Sequence, residues 1–268
     1  MDNQFWVPPG GPVKNIVHSC WQTKADRIHQ SETILPKGVI EIIFNFSESH
    51  RIDARFHDRQ YRLEKSFING FNNSPILLNF SGQQHFFGLR LHPAALQNMI
   101  GVRAGEFSNR IIDGSLVDPA LVPLWHRLAE TAGFMNRVGI VTAWLEKRSV
   151  DLSCRDELLN RFLNNTRDEI PGVQELARSL YYSPRQLARI IEAITGMNTE
   201  EILLYKKFQQ AVDLIHTGGL SLTGVAYQSR FADQSHFIKT FRAFAGMTPG
   251  EYRRLKTGLP GHILTVVR

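Results

Sequence analysis

The sequence predicts an α+β protein. The N-terminal half is expected to form a β-rich sheet or barrel with following helices, and the C-terminal half an all-α domain with two helix-turn-helix units joined by a long helix. Three observations support this fold class. Runs of β-branched and aromatic residues bounded by Gly, Pro, Asn and Ser fill residues 1–91. Apolar residues then recur at helical spacing, and one pattern of two short helices occurs twice near the C-terminus.

The predicted strands lie at 16–21, 39–46, 66–70, 75–80 and 85–91. Each segment is short and rich in Val, Ile, Phe or Trp. Gly70 and Gly82 interrupt the pattern where turns are expected. The close spacing of these segments favours an antiparallel sheet or a small barrel.

Helices are predicted after the strands. Residues 93–100 begin with proline and are followed by Gly101, the residue types favoured in the first turn of a helix and just past its end. Further helical segments lie at 118–131, 134–148 and 152–163. No low-complexity linker separates the halves. We predict a first domain at 1–158, with strands to about residue 91, a second domain at 164–256 and a C-terminal tail at 257–268.

The most informative stretch is 221–254, where a short helix and a turn at 228–231 lead into a second helix. Apolar residues at helical spacing predict its buried face: Phe237, Ile238, Phe241, Phe244 and Ala245. Small or hydrogen-bond-donating residues form the opposite face: Ser235, His236, Lys239, Thr240 and Arg242. A helix of this kind suits the major groove of DNA, where base edges are read by side-chain hydrogen bonds.

The same pattern occurs about fifty residues earlier, with one residue fewer in the turn. Residues 173–177 predict the first helix, 181–183 the turn and 184–194 the second helix. The inward face of this second helix is aliphatic: Leu187, Ile190, Ile191 and Ile194. Its outward face carries Arg185, Gln186 and Arg189. The two arginines are four residues apart, so both can address one groove.

Motifs at Leu176-Ala177, Ser183-Pro-Arg-Gln-Leu187, 225–237 and Gly246-Met-Thr-Pro249 carry a resemblance to the AraC/XylS family of bacterial transcription regulators. The resemblance covers roughly residues 164–256. It implies that base edges are read from the first recognition helix by Arg185, Ala188 and Arg189, with Gln186 on the same face. For the second recognition helix it implies Gln234, His236 and Lys239, with Ser235 beside them.

Two positions depart from the family pattern. Arg230 occupies a turn position where the family usually has Gly, and a non-Gly residue disfavours a positive φ angle there. Ile191 stands where Phe is common, a change of modest consequence for the core. On the predicted connecting helix at 199–216, Lys206 and Lys207 are expected to be solvated or to face phosphates.

The resemblance implies a sequence-specific regulator of transcription, either an activator or a repressor. Its implied partners are double-stranded DNA, RNA polymerase, a small-molecule effector and a second copy of the chain. Segments 35–44, 88–96 and 100–107 resemble sensor domains that precede some DNA-binding domains of this family. Four aromatic residues could line a barrel mouth that holds an apolar molecule: Trp21, Phe44, Phe46 and Phe86. The alternative is that these aromatics are core residues.

Charge and composition fit this interpretation. The net charge is +6 and the pI about 9.5. Residues 166–256 hold 12 Lys or Arg against 9 Asp or Glu, so this region has only a small surplus of positive charge. The placement of the cations on the predicted helices therefore supports DNA binding more than their total number does. No apolar run approaches the ~20 residues of a membrane helix, and no signal peptide is recognisable. Two distant cysteines, Cys20 and Cys154, need not pair. We therefore expect a cytoplasmic protein, associated with the nucleoid when bound to DNA and without membrane contact.

Other functional classes have weaker support. His18 and Cys20 share one face of a predicted strand and, with His29 or His85, could in principle hold zinc, but no second cluster has ligand spacing. A reactive Cys20 lacks a basic neighbour. No phosphate-binding loop, nucleophile elbow or carboxylate pair is present. We expect no enzyme, no metal and no cofactor. The alternatives are an enzyme or metal-dependent sensor on the N-terminal barrel, and an architectural protein without sequence preference.

Overall fold

The computed structural model describes residues 2–47, 52–148, 152–166 and 169–266. Within these ranges nine strands pair antiparallel in one sheet. The strands are β1 (Asp2–Trp6), β2 (Val17–Ile34), β3 (Ile40–Asn45), β4 (Asp53–Phe56), β5 (Arg59–Arg62), β6 (Ser66–Asn69), β7 (Ile76–Leu91), β8 (Ile111–Asp113) and β9 (His262–Val266). The main path through the sheet is β1-β2-β7-β3-β6-β8, while β4 also pairs with β7, β5 with β4 and β9 with β2.

The helices follow the first seven strands. In the N-terminal half they are α1 (Pro93–Ile100), α2 (Gly114–Val117), α3 (Leu121–Glu130) and α4 (Phe134–Glu146). In the C-terminal half they are α5 (Cys154–Asn164), α6 (Val173–Ser179), α7 (Pro184–Thr195), α8 (Thr199–Thr217), α9 (Leu222–Gln228), α10 (Gln234–Ala245) and α11 (Pro249–Leu255). The predicted fold class, a sheet followed by helices and a helical C-terminal half, is confirmed. No helix in the described ranges is long and apolar enough to cross a membrane.

The central pair β2 and β7 corrects one prediction. Two strands were expected around Gly82, but β7 is continuous and pairs with β2 from Leu91 to Ile76. Gly82 takes a φ of 90° inside the strand, which glycine tolerates without a steric penalty, and the register shifts between Arg27 and Gln30 on the facing strand. The glycine therefore marks an irregularity in a long strand and not its end.

Side chains alternate across the sheet and divide the apolar residues into two cores. Phe44 and Phe87 point toward the helices and join the large core that continues into the C-terminal half. Ile43 and Phe86, one residue away on the same strands, point to the other face and join a smaller core. Because strand side chains alternate with a period of two, neighbours in sequence belong to different cores.

The predicted helices are largely confirmed. α1 has the predicted bounds and ends at Gly101 in the left-handed conformation, with φ at 74°. α3, α4 and α5 lie within or close to the predicted segments. The short helix α2 and the strands β1, β4, β5, β8 and β9 were not predicted.

The two halves are packed together at several points. The 3₁₀ turn Ala104–Phe107 lies against α7 so closely that a Cβ atom at Gly105 would come 2.6 Å from the Ala193 carbonyl oxygen. Next to it, the Ser108 hydroxyl donates to the Thr195 carbonyl at 2.8 Å. The end of α7 is therefore held by the N-terminal half.

Candidate nucleic-acid interface and internal cavity

The first unit consists of α6, a turn and α7. Leu187 and Ile191 of α7 are buried, and Ile190 and Ile194 are partly buried against the same core, so the predicted inward face is confirmed. Burial of each such side chain stabilises the fold by about 1.5–3 kcal/mol.

The outward face of α7 is open to solvent. Arg185, Gln186 and Arg189 are exposed and Ala188 is half-buried. Gln186 has a second role that the sequence prediction did not include. Its amide oxygen accepts hydrogen bonds from the Ser183 backbone amide and hydroxyl, both at 3.0 Å, in a capping box that fixes the start of the helix. The two arginines remain the free cations of this face.

The second unit repeats the turn of the first. The Tyr182 amide donates to the Ala177 carbonyl at 2.9 Å, and the Phe231 amide donates to the Ala226 carbonyl at 3.0 Å. Each turn is closed by the same hydrogen bond, so the duplication predicted from the sequence is also present in the backbone.

Arg230 fits this turn in spite of its side chain. Its φ is 56°, the left-handed conformation that the family pattern reserves for glycine. Two interactions hold it there: the Lys207 ammonium donates to its carbonyl oxygen at 2.8 Å, and its guanidinium pairs with the Glu169 carboxylate. The second turn therefore has the same backbone conformation and hydrogen bond as the first, although neither Tyr181 nor Arg230 is glycine.

The second recognition helix, α10, starts at a cap in which the Asp233 carboxylate accepts from the His236 amide at 2.7 Å. The buried aromatic face of α10 is confirmed for Phe237, Phe241 and Phe244. The exposed face carries Gln234, Ser235, Lys239 and Arg242. His236 is half-buried, and its ring meets the ring of Phe231 at 5.6 Å.

Two residues of α10 lie on the opposite side from the prediction. Ile238 was expected in the core but is 39% exposed. Thr240 was expected on the DNA-facing side but is buried. With 3.6 residues per turn the buried stripe follows positions 237, 240, 241 and 244, so Thr240 lies within it and Ile238 outside it.

The two lysines of α8 also differ from expectation. Lys206 is buried, and its ammonium donates to the Leu163 carbonyl at 2.8 Å. It therefore faces neither solvent nor phosphate. Lys207 is half-buried, and burial together with the charge of Arg230 lowers its pKa. Its bond to the second turn leaves further ammonium donors, because a lysine has three.

The four aromatics proposed to line a ligand site are divided by the sheet. Trp21 and Phe86 line a cavity of about 420 Å³. Phe44 and Phe46 do not, because they lie on the other face of β3 and beyond its end, against Phe87 and Trp125. For these two residues the core interpretation is the correct one.

The body of the cavity is apolar. Trp21 lies across β7 so closely that a Cβ atom at Gly88 would come 2.2 Å from its indole ring. The indole nitrogen donates to the Glu41 carboxylate at 2.9 Å. Seven further lining residues belong to the smaller core: Ile43, Leu63, Phe67, Ile76, Phe80, Phe86 and Ile111.

One end of the cavity is charged and contains residues of both halves. Burial by itself would raise the pKa of the Glu41 carboxyl, but the charges of Lys37 and Arg90 hold it below its ordinary value. Arg90 pairs with Glu41 at 3.1 Å. Burial lowers the pKa of Lys37. The charges of Glu41 and Glu32 act in the opposite direction on the pKa of Lys37.

The C-terminal half closes this charged end. Gln209 of α8 donates to the Lys37 carbonyl, and His262 of β9 shares a hydrogen bond of 2.6 Å with the Glu32 carboxylate. Sequence reasoning missed these residues. Glu32 and His262 are 230 positions apart, and no local pattern joins them.

The zinc alternative has little to support it. The described residues contain no group of three His, Cys, Asp or Glu side chains placed to hold a metal ion, and the side chain of His29 lies outside the described part of the chain. Burial raises the pKa of the Cys20 thiol to about 12, so this thiol is inert at neutral pH.

Two family models match the chain. One, described as a helix-turn-helix domain, matches residues 176–255 and so covers both units. The other, described as a domain of unknown function (DUF6597), matches residues 6–113, from the last residue of β1 to the end of β8.

Curated relatives match over part of the chain. The HTH-type transcriptional activator AarP of Providencia stuartii is 28% identical over 87 residues, which are 32% of this chain and 64% of that protein. The ornithine utilization regulator of Pseudomonas aeruginosa is 26% identical over 141 residues, 48% of this chain and 41% of that protein. YtdP of Bacillus subtilis, an uncharacterized HTH-type transcriptional regulator, is 25% identical over 87 residues, 32% of this chain and 11% of that protein. The chain thus spans less than two thirds of the length of these relatives.

Among solved structures, ToxT from Vibrio cholerae is similar over nearly the whole chain. The TM-score is 0.50 at 13% identity, and the match covers 89% of this chain and 99% of that one. At this identity the likeness shows the fold, a sheet-rich half followed by a helical half, and no more.

Proposed function

We propose that this chain, which carries an AraC-type helix-turn-helix domain at residues 176–255, is a sequence-specific DNA-binding regulator of transcription. One observation carries the proposal. The unit occurs twice with the same turn, and in both copies the polar face of the second helix is exposed while its apolar face is buried. The family assignment favours such a regulator over an enzyme, and its site of action is chromosomal DNA.

The mechanism follows from the exposed side chains. Arg185 and Arg189 can donate two hydrogen bonds to a guanine edge, and Gln234 suits adenine. Lys239 and His236 lie on the same helix as Gln234 and complete the second reading surface. α8 has 19 residues and is therefore about 28 Å long, a length suited to placing two helices in major grooves about 34 Å apart.

Selection of bound duplexes from a random pool at physiological salt tests this proposal. We expect an enriched site with two conserved blocks about one helical turn apart. Binding without enrichment would support the architectural alternative, and absence of binding would overturn the proposal. Repeating the selection with Arg127→Ala, which removes an exposed arginine of α3, should return the same site.

We also propose that the cavity in the N-terminal half binds a small-molecule effector. The apolar body and the charged end fit an amphipathic molecule whose polar group meets the Lys37 ammonium. A volume near 420 Å³ lies in the range of ligand pockets. Contacts with RNA polymerase and with a second copy of the chain stay predictions.

A thermal-shift screen of amphipathic metabolites tests the effector proposal. A bound compound should raise the melting temperature of the native chain. It should fail to do so for Phe86→Trp, which fills the cavity. Phe46→Leu is the matched control, because Phe46 does not line the cavity and its replacement should preserve binding. If no compound stabilises the native chain, or if Phe86→Trp responds equally, this cavity is not the effector site.

A further inference from the structure

The strand β9 belongs by sequence to the DNA-binding half and by structure to the sheet of the other half. It pairs with β2 from Ile34 opposite His262 to Gln30 opposite Val266. The same edge of β2 is occupied by β1 at 20–24. β9 therefore pairs with a second part of the β2 edge, where the backbone amide and carbonyl groups would otherwise be unpaired.

β9 also forms part of the cavity wall. His262 lines the cavity together with Glu32, to which it is hydrogen-bonded. The Leu35 amide donates to the Gly261 carbonyl at 2.8 Å, just before the strand begins. A molecule that fills the charged end of the cavity therefore touches β9 directly.

On its other side, β9 is connected to the second recognition helix through a short series of contacts. The Gly261 amide donates to the hydroxyl of the buried Tyr252 at 2.9 Å. The Tyr252 ring packs on Phe241 of α10, with centroids 5.8 Å apart.

The segment between α11 and β9 is too short and too well bonded to absorb a movement of the strand. Only residues 256–261 separate the two elements. The Thr257 amide donates to the His262 carbonyl at 3.1 Å, and the Lys256 ammonium donates to the His216 carbonyl at the end of α8 at 2.7 Å. Displacement of β9 must therefore be transmitted to α11 and α10.

We propose that β9 couples the cavity to the second recognition helix, so that occupancy of either site changes the conformation of the other. The inference rests on the proposed function, since it assigns the regulation of the same cavity and the same DNA-reading surface. Because the binding free energies of two coupled sites are linked, the coupling is reciprocal. If an effector in the cavity alters DNA binding, DNA binding must also alter the cavity wall.

The reciprocal effect can be measured without knowing the effector. The full chain is labelled with 5-fluorotryptophan, the resonance of Trp21 in the cavity wall is assigned with Trp21→Phe, and the duplex obtained by selection is added. We expect the Trp21 signal to shift when DNA binds. Binding is followed in the same sample by fluorescence anisotropy of the duplex, so loss of DNA binding and loss of coupling are distinguished.

Two substitutions on neighbouring positions of β9 form a matched pair. Ile263 is buried and Leu264 is 37% exposed, so Ile263→Glu should detach the strand while Leu264→Glu should leave it in place. We expect Ile263→Glu to bind DNA with the Trp21 shift lost, and Leu264→Glu to keep the shift. Tyr252→Phe, which removes only the hydroxyl that accepts from Gly261, should reduce the shift and provides a test if Ile263→Glu does not fold.

Gln209→Ala tests another contact between the cavity and the C-terminal half, one that does not involve β9, and it should keep the shift. The coupling is refuted if the native chain binds DNA without a Trp21 shift, or if Ile263→Glu keeps it. It is also refuted if Gln209→Ala alone removes the shift. If no duplex binds, the proposed function fails. The coupling is then tested without DNA, by measuring amide hydrogen exchange of α10 in the free chain. Tyr252→Phe must accelerate this exchange, and Leu264→Glu must leave it unchanged.

Discussion

Tyr181 and Arg230 occupy equivalent positions in the two turns and share one backbone conformation, with φ of 58° and 56°. Neither is glycine, although the left-handed region is unfavourable for residues with a Cβ atom. The hydrogen bonds of the turn and the packing of the two helices hold both residues there. Each turn therefore stores steric strain of about 1 kcal/mol.

Replacement of Tyr181 by glycine should stabilise the fold. Tyr181 is 68% exposed, so little packing is lost. We expect the free energy of unfolding to rise by about 0.5–1 kcal/mol, since relief of strain exceeds the added freedom of glycine in the unfolded chain. Chemical denaturation measures the change. Tyr181→Ala keeps the Cβ atom and should give no gain. An equal gain for both variants would mean that the tyrosine ring, and not the backbone, is the source of strain.

Arg189→Ala should weaken binding to the selected DNA site by about 1–3 kcal/mol, roughly 5–150-fold, and loosen preference at one base pair. The guanidinium is exposed on α7, and its loss leaves one base edge without a donor. Competition binding against single-base variants of the site measures both effects. Arg127→Ala removes the same charge from α3 and should change neither. If Arg189→Ala keeps the base preference of the native chain, Arg189 does not read a base.

Lys207→Ala should weaken binding to all DNA sequences alike. The ammonium lies beside the second turn and donates to the Arg230 carbonyl, and we expect its remaining donors to meet a phosphate. Loss of one phosphate contact should reduce the slope of log K against log salt concentration by about 0.9. Salt titrations on the selected site and on random DNA give both slopes. An unchanged slope combined with lower stability would show that Lys207 serves the turn alone.

Phe241→Ala should lower the free energy of unfolding by about 3–5 kcal/mol. The ring is fully buried and contacts the rings of Phe208, Phe237 and Tyr252. Denaturant titration of the full chain measures the loss. Ile238→Ala, on the exposed side of the same helix, should cost less than about 1 kcal/mol. A large loss for Ile238→Ala would place that side chain in the core after all.

Acid should destabilise the fold through His85. Burial, and then the charge of Arg137, lower the pKa of His85 from 6.5 to about 4. Between these values the unfolded chain binds a proton that the folded chain excludes, so stability falls as the pH falls from about 6.5 to about 4. Unfolding in denaturant at several pH values should show a flatter profile for His85→Gln. A profile in His85→Gln as steep as that of the native chain would contradict this assignment.

Local sequence was sufficient for most of the helices and for the exposure of the side chains predicted to read DNA. The capping residues Ser183 and Asp233, the glycines after α7 and α10 and the aromatic period of α10 act within a few residues of one another, so their pattern determines structure directly. The exposed positions of Arg185, Arg189, Gln234 and Lys239 follow from that period. Ile238 and Thr240, at the margins of the buried stripe of α10, and Lys206 of α8 were placed wrongly.

The remainder depends on contacts between residues that are far apart along the chain. The sequence alone determined the paired short helices and their polar faces, because helix periodicity and capping are local. The tertiary structure alone decided that Phe86 lines a cavity while Phe44 is core, that Gly82 lies within a strand, and that β9 joins a sheet formed more than two hundred residues earlier. The physical reason is that strands pair through hydrogen bonds between backbone groups, which every sequence shares. The local sequence pattern of a strand therefore does not identify its partner strand.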